Sequence, residues 1–352
     1  MSAKRVSLLP FLDFAGGPYA LGHALGRFGA AAVHSYLRNT PAWSTVMGYR
    51  GSSAVAAMAE QLEARFPRYW EELRGLADGL GLPFEDVFLW NCRGDLWAMA
   101  PDGCTTVQIP GRSARWIAHN EDGDPGLAES CALVRLVPDD GPAFTVFIYP
   151  GSLPGHTFAV TDQGLVQAVN NIRALAGGAG VPRMAMARAT LDATTLDEAV
   201  DLIRATPRAG AFHFTLAQAS DPRLLSVEFT ASRFSVREVQ TTSAHANHLI
   251  HDGTIDMPQI VTDSSRDRQA RAEALCLEAG EFAENSFALR LLGDQAASGL
   301  PIYRPDPADP DGESTLASAI FHILPDRIDW EVYREQQRAP DFRFDGLLPD
   351  AA

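Results

Sequence analysis

The chain has 352 residues, 46% hydrophobic and 21% charged, which excludes a largely disordered protein and leaves ample material for a core. A net charge of −15 repels a phosphate backbone over most of the surface, so nucleic acid is not an expected partner. No run of 18 apolar residues occurs, so no membrane association is expected.

Lys4 and Arg5 precede an apolar stretch over residues 6–14, but Pro10 and Asp13 interrupt it and no small-residue cleavage site follows. It reads as a first strand of a cytoplasmic protein rather than a signal peptide. After the turn at Gly16-Gly17-Pro18, the Ala-rich residues 20–32 read as a helix. Leu62, Phe66, Tyr69, Leu73, Leu76 and Leu80 recur at three- and four-residue steps and mark one apolar helix face, broken near Pro67. Gly81 and Pro83 end that stretch, and a short apolar helix is expected over 84–90.

From Cys104 onward the pattern turns β-branched and aromatic, predicting strands at 105–109, 116–120, 132–137, 144–149, 156–160 and 164–169. Two helices are expected within 184–206, the second opened by a capping box from Thr195 to Glu198. Strands return at 212–219, 224–229, 234–239, 319–323 and 327–333. This order lacks βαβ alternation and predicts an α+β fold, antiparallel sheets with helices on their outer faces. Residues 304–314 carry three prolines and four acids and read as a solvated loop. Their likeness to a calcium loop fails, because its first position falls on Pro307 and its twelfth on Ser318.

The four cysteines, Cys92, Cys104, Cys131 and Cys276, are too few and scattered for a disulfide framework, and no CxxC pair suggests zinc. Each is a small buried hydrophobe or a nucleophile. Cys104 follows Asp102-Gly103 and leads into the strands. A glycine there lets the backbone offer its carbonyl to the next side chain. Thiol attack on the Gly103 carbonyl, followed by water, would leave an N-terminal cysteine. Its α-amine (reference pKa about 7.7–8.0) is matched to its own thiol (about 8.5) for proton transfer near neutrality.

Several segments carry a resemblance. Gly103-Cys104-Thr105-Thr106-Val107, then His119-Asn120-Glu121-Asp122, then Gly164-Leu-Val-Gln-Ala-Val-Asn170 and His245-Ala246-Asn247-His248 resemble the acyl-coenzyme A:isopenicillin N acyltransferase family in order. Asn91-Cys92-Arg93-Gly94-Asp95 and Gly180-Val181-Pro182 are similar to further family segments. The resemblance implies a four-layer αββα N-terminal-nucleophile fold and autoproteolysis between Gly103 and Cys104. It implies a small helical chain, 1–103, and a large core chain, 104–352, in one structural unit. By the same resemblance Cys104 is the nucleophile, Asp122 an acid near the new amino terminus, and Asn247 an oxyanion donor.

Residue-level readings stand beside these. Asp122 lies in an acidic turn-forming string that would serve solubility alone. Asn170 reads as a pocket residue or a strand end, and Thr105 and His245 as neighbours of the site. Arg93 pairs with Asp95 or another acid, or reaches the site. The three-residue spacing of His245, His248 and His251 sits in strand and loop, so no metal is expected, nor any other cofactor. One departure concerns Asp311 and Gly312, which stand where penicillin-forming members carry Ser-Arg. A cation for an acidic substrate group is thus expected to be missing. The expected activity is hydrolysis of a small-molecule amide through a Cys104 acyl-enzyme. Acyl transfer to an amine and non-catalytic binding are the alternatives, and assembly into identical copies is left open.

Overall fold

The first strand, β1 (Phe11–Gly16), leads into a helical region: α1 (Pro18–Ser35), α2 (Pro41–Met47), α3 (Ser53–Arg65), α4 (Pro67–Leu80), α5 (Phe84–Asn91) and α6 (Arg93–Leu96). The structure is a computed structural model that describes residues 9–100, 103–279, 285–296, 300–306, 311–336 and 338–346. Next come β2 (Gly103–Ile109), β3 (Arg115–Gly123), β4 (Ala132–Pro138), β5 (Phe144–Ile148), β6 (Phe158–Thr161) and β7 (Leu165–Asn171). Helices α7 (Arg183–Thr190) and α8 (Leu196–Ala205) precede β8 (Phe212–Gln218), β9 (Asp221–Phe229), β10 (Phe234–Glu238) and β11 (Ser243–His245). The chain continues through α9 (Asp263–Ala279), α10 (Asn285–Leu292), β12 (Ser314–Ile323), β13 (Ile328–Tyr333) and β14 (Phe342–Asp345).

Local chemistry sets several boundaries. Pro67 opens α4 at its first turn, where its missing N–H costs nothing, and Gly81 ends it in the left-handed region at φ 66°. The Thr195 side chain accepts from the Glu198 N–H at 3.1 Å, as a capping box requires. The Glu198 carboxylate instead takes the N–H of Thr194. Helices α1 and α4 meet along a seam of glycines. A Cβ on Gly22 would lie 1.8 Å from the Glu72 carbonyl oxygen, and one on Gly75 2.0 Å from that of Tyr19.

Among the described residues the strands form two sheets, ordered β1-β4-β5-β6-β7-β8-β9-β10 and β11-β2-β3-β12-β13-β14. All neighbours are antiparallel except the β1–β4 pair. The sheets face one another through pairs such as Phe158–Phe321 and the bond from Gln108 to Thr215. The first sheet is covered by α1 and α8, the second by α9 and α10. The α+β expectation and its outer helices hold. No helix among the described residues is long and apolar enough to cross a membrane.

Candidate active site

Cys104 sits second in β2, buried, and pairs across the ladder with Glu121 of β3. Directly paired residues project to the same side of a sheet, and the next residue along projects to the other. The ladder therefore sorts the acids. Glu121 shares the Cys104 face toward the opposite sheet, while Asp122 pairs with Gly103 and faces the covering helices.

On the inner face the Cys104 thiol donates to Glu121 Oε2 at 3.7 Å. The other carboxylate oxygen accepts from the Tyr149 hydroxyl at 2.8 Å. His119 Nε2 lies 3.0 Å from Oε2, and its Nδ1 2.8 Å from Thr106 Oγ1. Donor atoms of Cys104, His119 and Glu121 all lie within 4.8 Å of one another. Burial pushes His119 down to about 3, so the imidazole is neutral near pH 7. Asn170 joins this network rather than the sulfur. Its Oδ1 is 2.8 Å from Thr106 Oγ1, and its Nδ2 donates to the His245 carbonyl at 3.1 Å.

On the helix side, Asn247 Oδ1 accepts the backbone N–H of Cys104 at 3.0 Å and a guanidinium N–H of Arg268 at 2.7 Å. Its Nδ2 donates to the Asn171 carbonyl at 3.1 Å, which fixes the amide's orientation. Arg268 of α9 also donates to the Cys104 carbonyl and to Thr105 Oγ1. Burial, then Arg304 nearby, lowers its pKa.

Beyond Gly103 lies a buried charge cluster. Asp122 accepts from Thr315 Oγ1 at 2.6 Å and from Arg304 at 3.4 Å. Arg304 also reaches Glu313 Oε2 at 3.2 Å, and Arg173 reaches Glu313 Oε1 at 3.4 Å. Burial raises Glu313 to about 7 against the pull of Arg173 and Arg304. A Cβ on Gly103 would stand 2.2 Å from Glu313 Oε2, so a larger residue before Cys104 would have to displace that carboxylate or the strand end.

This geometry, a buried thiol at a strand start between two sheets, meets a matching sequence. Residues 110–337 match the family described as acyl-coenzyme A:6-aminopenicillanic acid acyl-transferase. The chain belongs to that family. A beta-alanyl-dopamine/carcinine hydrolase of Drosophila melanogaster is 23% identical, with 91% of each chain covered. A solved structure of a single-residue variant of the conjugated bile acid hydrolase from Clostridium perfringens aligns with 70% of this chain and 99% of its own. Its identity is 8% and its TM-score 0.46.

Against the family pattern, the structure bonds Cys104 to Asn247 directly, links Thr105 to Asn247 through Arg268, and sets Asp122 across from Gly103. Asn247 presents its oxygen to the Cys104 N–H and one amide hydrogen to the Asn171 carbonyl. His245 stands apart, bonded to Glu228 at 2.8 Å. Burial pushes Glu228 up, but the bonds from His245 and Thr254 outweigh it and hold the acid at about 2. Arg93 is buried, over the Trp90 ring, and Asp95 accepts the Arg183 backbone N–H.

One expectation fails. The stretch from Arg304 to Ser314 is not simply solvated, since Arg304 and Glu313 at its ends are buried and bonded to one another. Asp309 lies outside the described residues. Three arginines reach this region from other elements, Arg304 bonded to Asp122 and Glu313, Arg173 to Glu313, and Arg268 to the Cys104 carbonyl. Sequence reasoning also missed the Glu121–His119 contact. His119 and Glu121 are two residues apart on β3 and so share a face, and the connection centred on Arg112-Ser113 sets the register that puts Cys104 opposite Glu121.

Proposed function

We propose that this protein is a self-processing amide hydrolase in which the chain is cut between Gly103 and Cys104 and Cys104 is the nucleophile. The observation that carries the reading is the 3.0 Å bond from the Cys104 nitrogen to Asn247 Oδ1. After the cut, that oxygen holds an α-amine beside its own thiol. The Arg268 cation, bonded to the Cys104 carbonyl, disfavours the ammonium form and keeps the amine a base. Cys104 then attacks the substrate carbonyl, the amine passes the thiol proton to the leaving amine, and water frees the acid. Asp122, held by Thr315 and Arg304, fixes the strand end at the new terminus.

The pieces 1–103 and 104–352 stay together after cutting, because β1 is a strand of the larger piece's sheet. Hydrolysis is favoured over transfer by the similarity, over 91% of each chain, to a hydrolase whose name specifies β-alanyl-dopamine and carcinine. Small β-alanyl amides are therefore the first substrates to try. The test is intact mass of the purified wild type beside Cys104→Ala, followed by amide turnover. Two pieces ending at Gly103 and beginning at Cys104 in the wild type alone support the reading, and an uncut wild type rejects it. The family description favours acyl transfer as a second reading. Adding hydroxylamine during turnover separates the two, since a transferase yields the hydroxamate in preference to the acid.

A further inference from the structure

Hydrogen bonds around Cys104 fix where its neighbours hold their protons. Asn170 Nδ2 donates to the His245 carbonyl, so Oδ1 is the atom facing Thr106 and His213. The Thr106 hydroxyl has one proton and gives it to Asn170 Oδ1. It must then accept from His119 Nδ1 on its other side, 2.8 Å away. With Nδ1 protonated, His119 Nε2 meets Glu121 Oε2 at 3.0 Å, a contact that requires one proton between them. Tyr149 donates to Oε1, so that proton lies at Oε2, the oxygen beside the sulfur. Burial, which holds His119 at about 3, leaves it on the carboxyl.

A self-cutting chain meets a difficulty at its first reaction that later turnovers do not. Before the cut the Cys104 nitrogen is a peptide N–H, and no α-amine exists to take the thiol proton. We propose that the Glu121–His119 pair carries the proton for the first cut, an inference that rests on Cys104 being the self-processing nucleophile.

The thiol proton passes to Glu121 Oε2 as the proton already there moves to His119 Nε2. The sulfur electron pair forms the bond to the Gly103 carbonyl carbon, and the carbonyl π pair moves onto oxygen. When that pair returns, the C–N bond breaks toward the Cys104 nitrogen. The nitrogen takes its proton from Glu121, and His119 returns the other to the carboxyl. A Gly103 thioester and a free α-amine result, and water hydrolyses the thioester to the Gly103 carboxylate and the thiol. Thiolate and imidazolium arise together within 4.8 Å, so the buried face never carries a lone charge.

Glu121→Gln tests this while keeping the shape of the network. A Gln amide donates to His119 Nε2 and accepts from Tyr149, but it carries no transferable proton. Self-cleavage followed by intact mass slows roughly 100-fold or more, the range lost with a general acid–base group, with the melting temperature near that of the wild type. His119→Gln, with Glu121 intact, slows it about tenfold or more, and decides the matter if Glu121→Gln does not fold. A folded variant that cuts at the wild-type rate overturns the proton-carrier role alone. A wild type that never cuts rejects the Cys104 nucleophile itself.

Discussion

Cys104 and Glu121 stand opposite one another across the β2–β3 ladder, the sulfur 3.7 Å from Glu121 Oε2. One residue further, Asp122 turns to the other face, beside Gly103 and bonded to Arg304 and Thr315. Two adjacent acids thus have separate surroundings. One shares a proton with an imidazole against the opposite sheet, and the other is neutralised by a guanidinium under the helices. The alternation of a strand makes the division, and a one-residue slip in register would exchange them.

Gly103→Ala should slow self-cleavage about tenfold or more, because misplacing reacting atoms by a fraction of an ångström is costly. Its Cβ would stand 2.2 Å from Glu313 Oε2, whose two oxygens are held by Arg304 and Arg173. Either that carboxylate leaves its arginines or the backbone carrying the scissile carbonyl shifts. A time course of intact mass checks this, and adding Glu313→Ser should restore part of the rate. Wild-type kinetics in the single variant would show that the crowding has no consequence.

Much of this fold was legible because its cues are local. The stripe of Leu73, Leu76 and Leu80, the cap at Thr195 and the aromatic strands announce themselves within a few residues. Helix α9 does not, since it buries Ser264, Ser265, Arg268 and Gln269 beside its apolar contacts. No hydrophobic period marks it, and with it Arg268 went unseen. Arg304 and Glu313 were hidden differently. Composition rich in proline and acid looks solvated until the partners across the fold are known.

Arg268→Gln should move the acid limb of the kcat/KM profile for amide hydrolysis to higher pH. The guanidinium touches both the Cys104 carbonyl and the Asn247 oxygen that holds its nitrogen. Removing a cation makes the ammonium form easier to reach, so the amine's pKa rises and neutral base appears only at higher pH. A shift of about half a unit or more is expected, since a unit corresponds to 1.36 kcal/mol. Profiles of the two enzymes on one β-alanyl amide decide it, and a shift downward contradicts the role given to Arg268.

Glu313 should make the protein less stable as pH rises through the weakly acid range. Burial raises its pKa from an ordinary value near 4.5 to about 7, so the folded state binds the proton more tightly than the unfolded one. Its contribution is fully present below about 4.5 and is lost as pH climbs through 7. The size is on the order of 3 kcal/mol for a shift of this extent. Glu313→Gln removes the term. Urea unfolding at pH 5 and pH 8 should show a smaller decline in the variant than in the wild type.

Gly75→Ala should destabilise the protein although it replaces the poorer helix former with the better one. On propensity alone the change favours α4 by up to about 1 kcal/mol. Packing opposes it, because the new Cβ would lie 2.0 Å from the Tyr19 carbonyl oxygen and 2.9 Å from the His23 nitrogen of α1. Those are backbone atoms, so no side chain can swing aside and the two helices must separate. Overpacking of this kind costs about 1–3 kcal/mol, enough to outweigh the propensity gain. Gly253→Ala is the control, since its Cβ meets nothing nearer than 3.4 Å, at Ser235. Thermal unfolding should place Gly75→Ala several degrees below the wild type and Gly253→Ala close to it. A Gly75→Ala protein at least as stable as the wild type would mean that the α1–α4 seam can open at no cost.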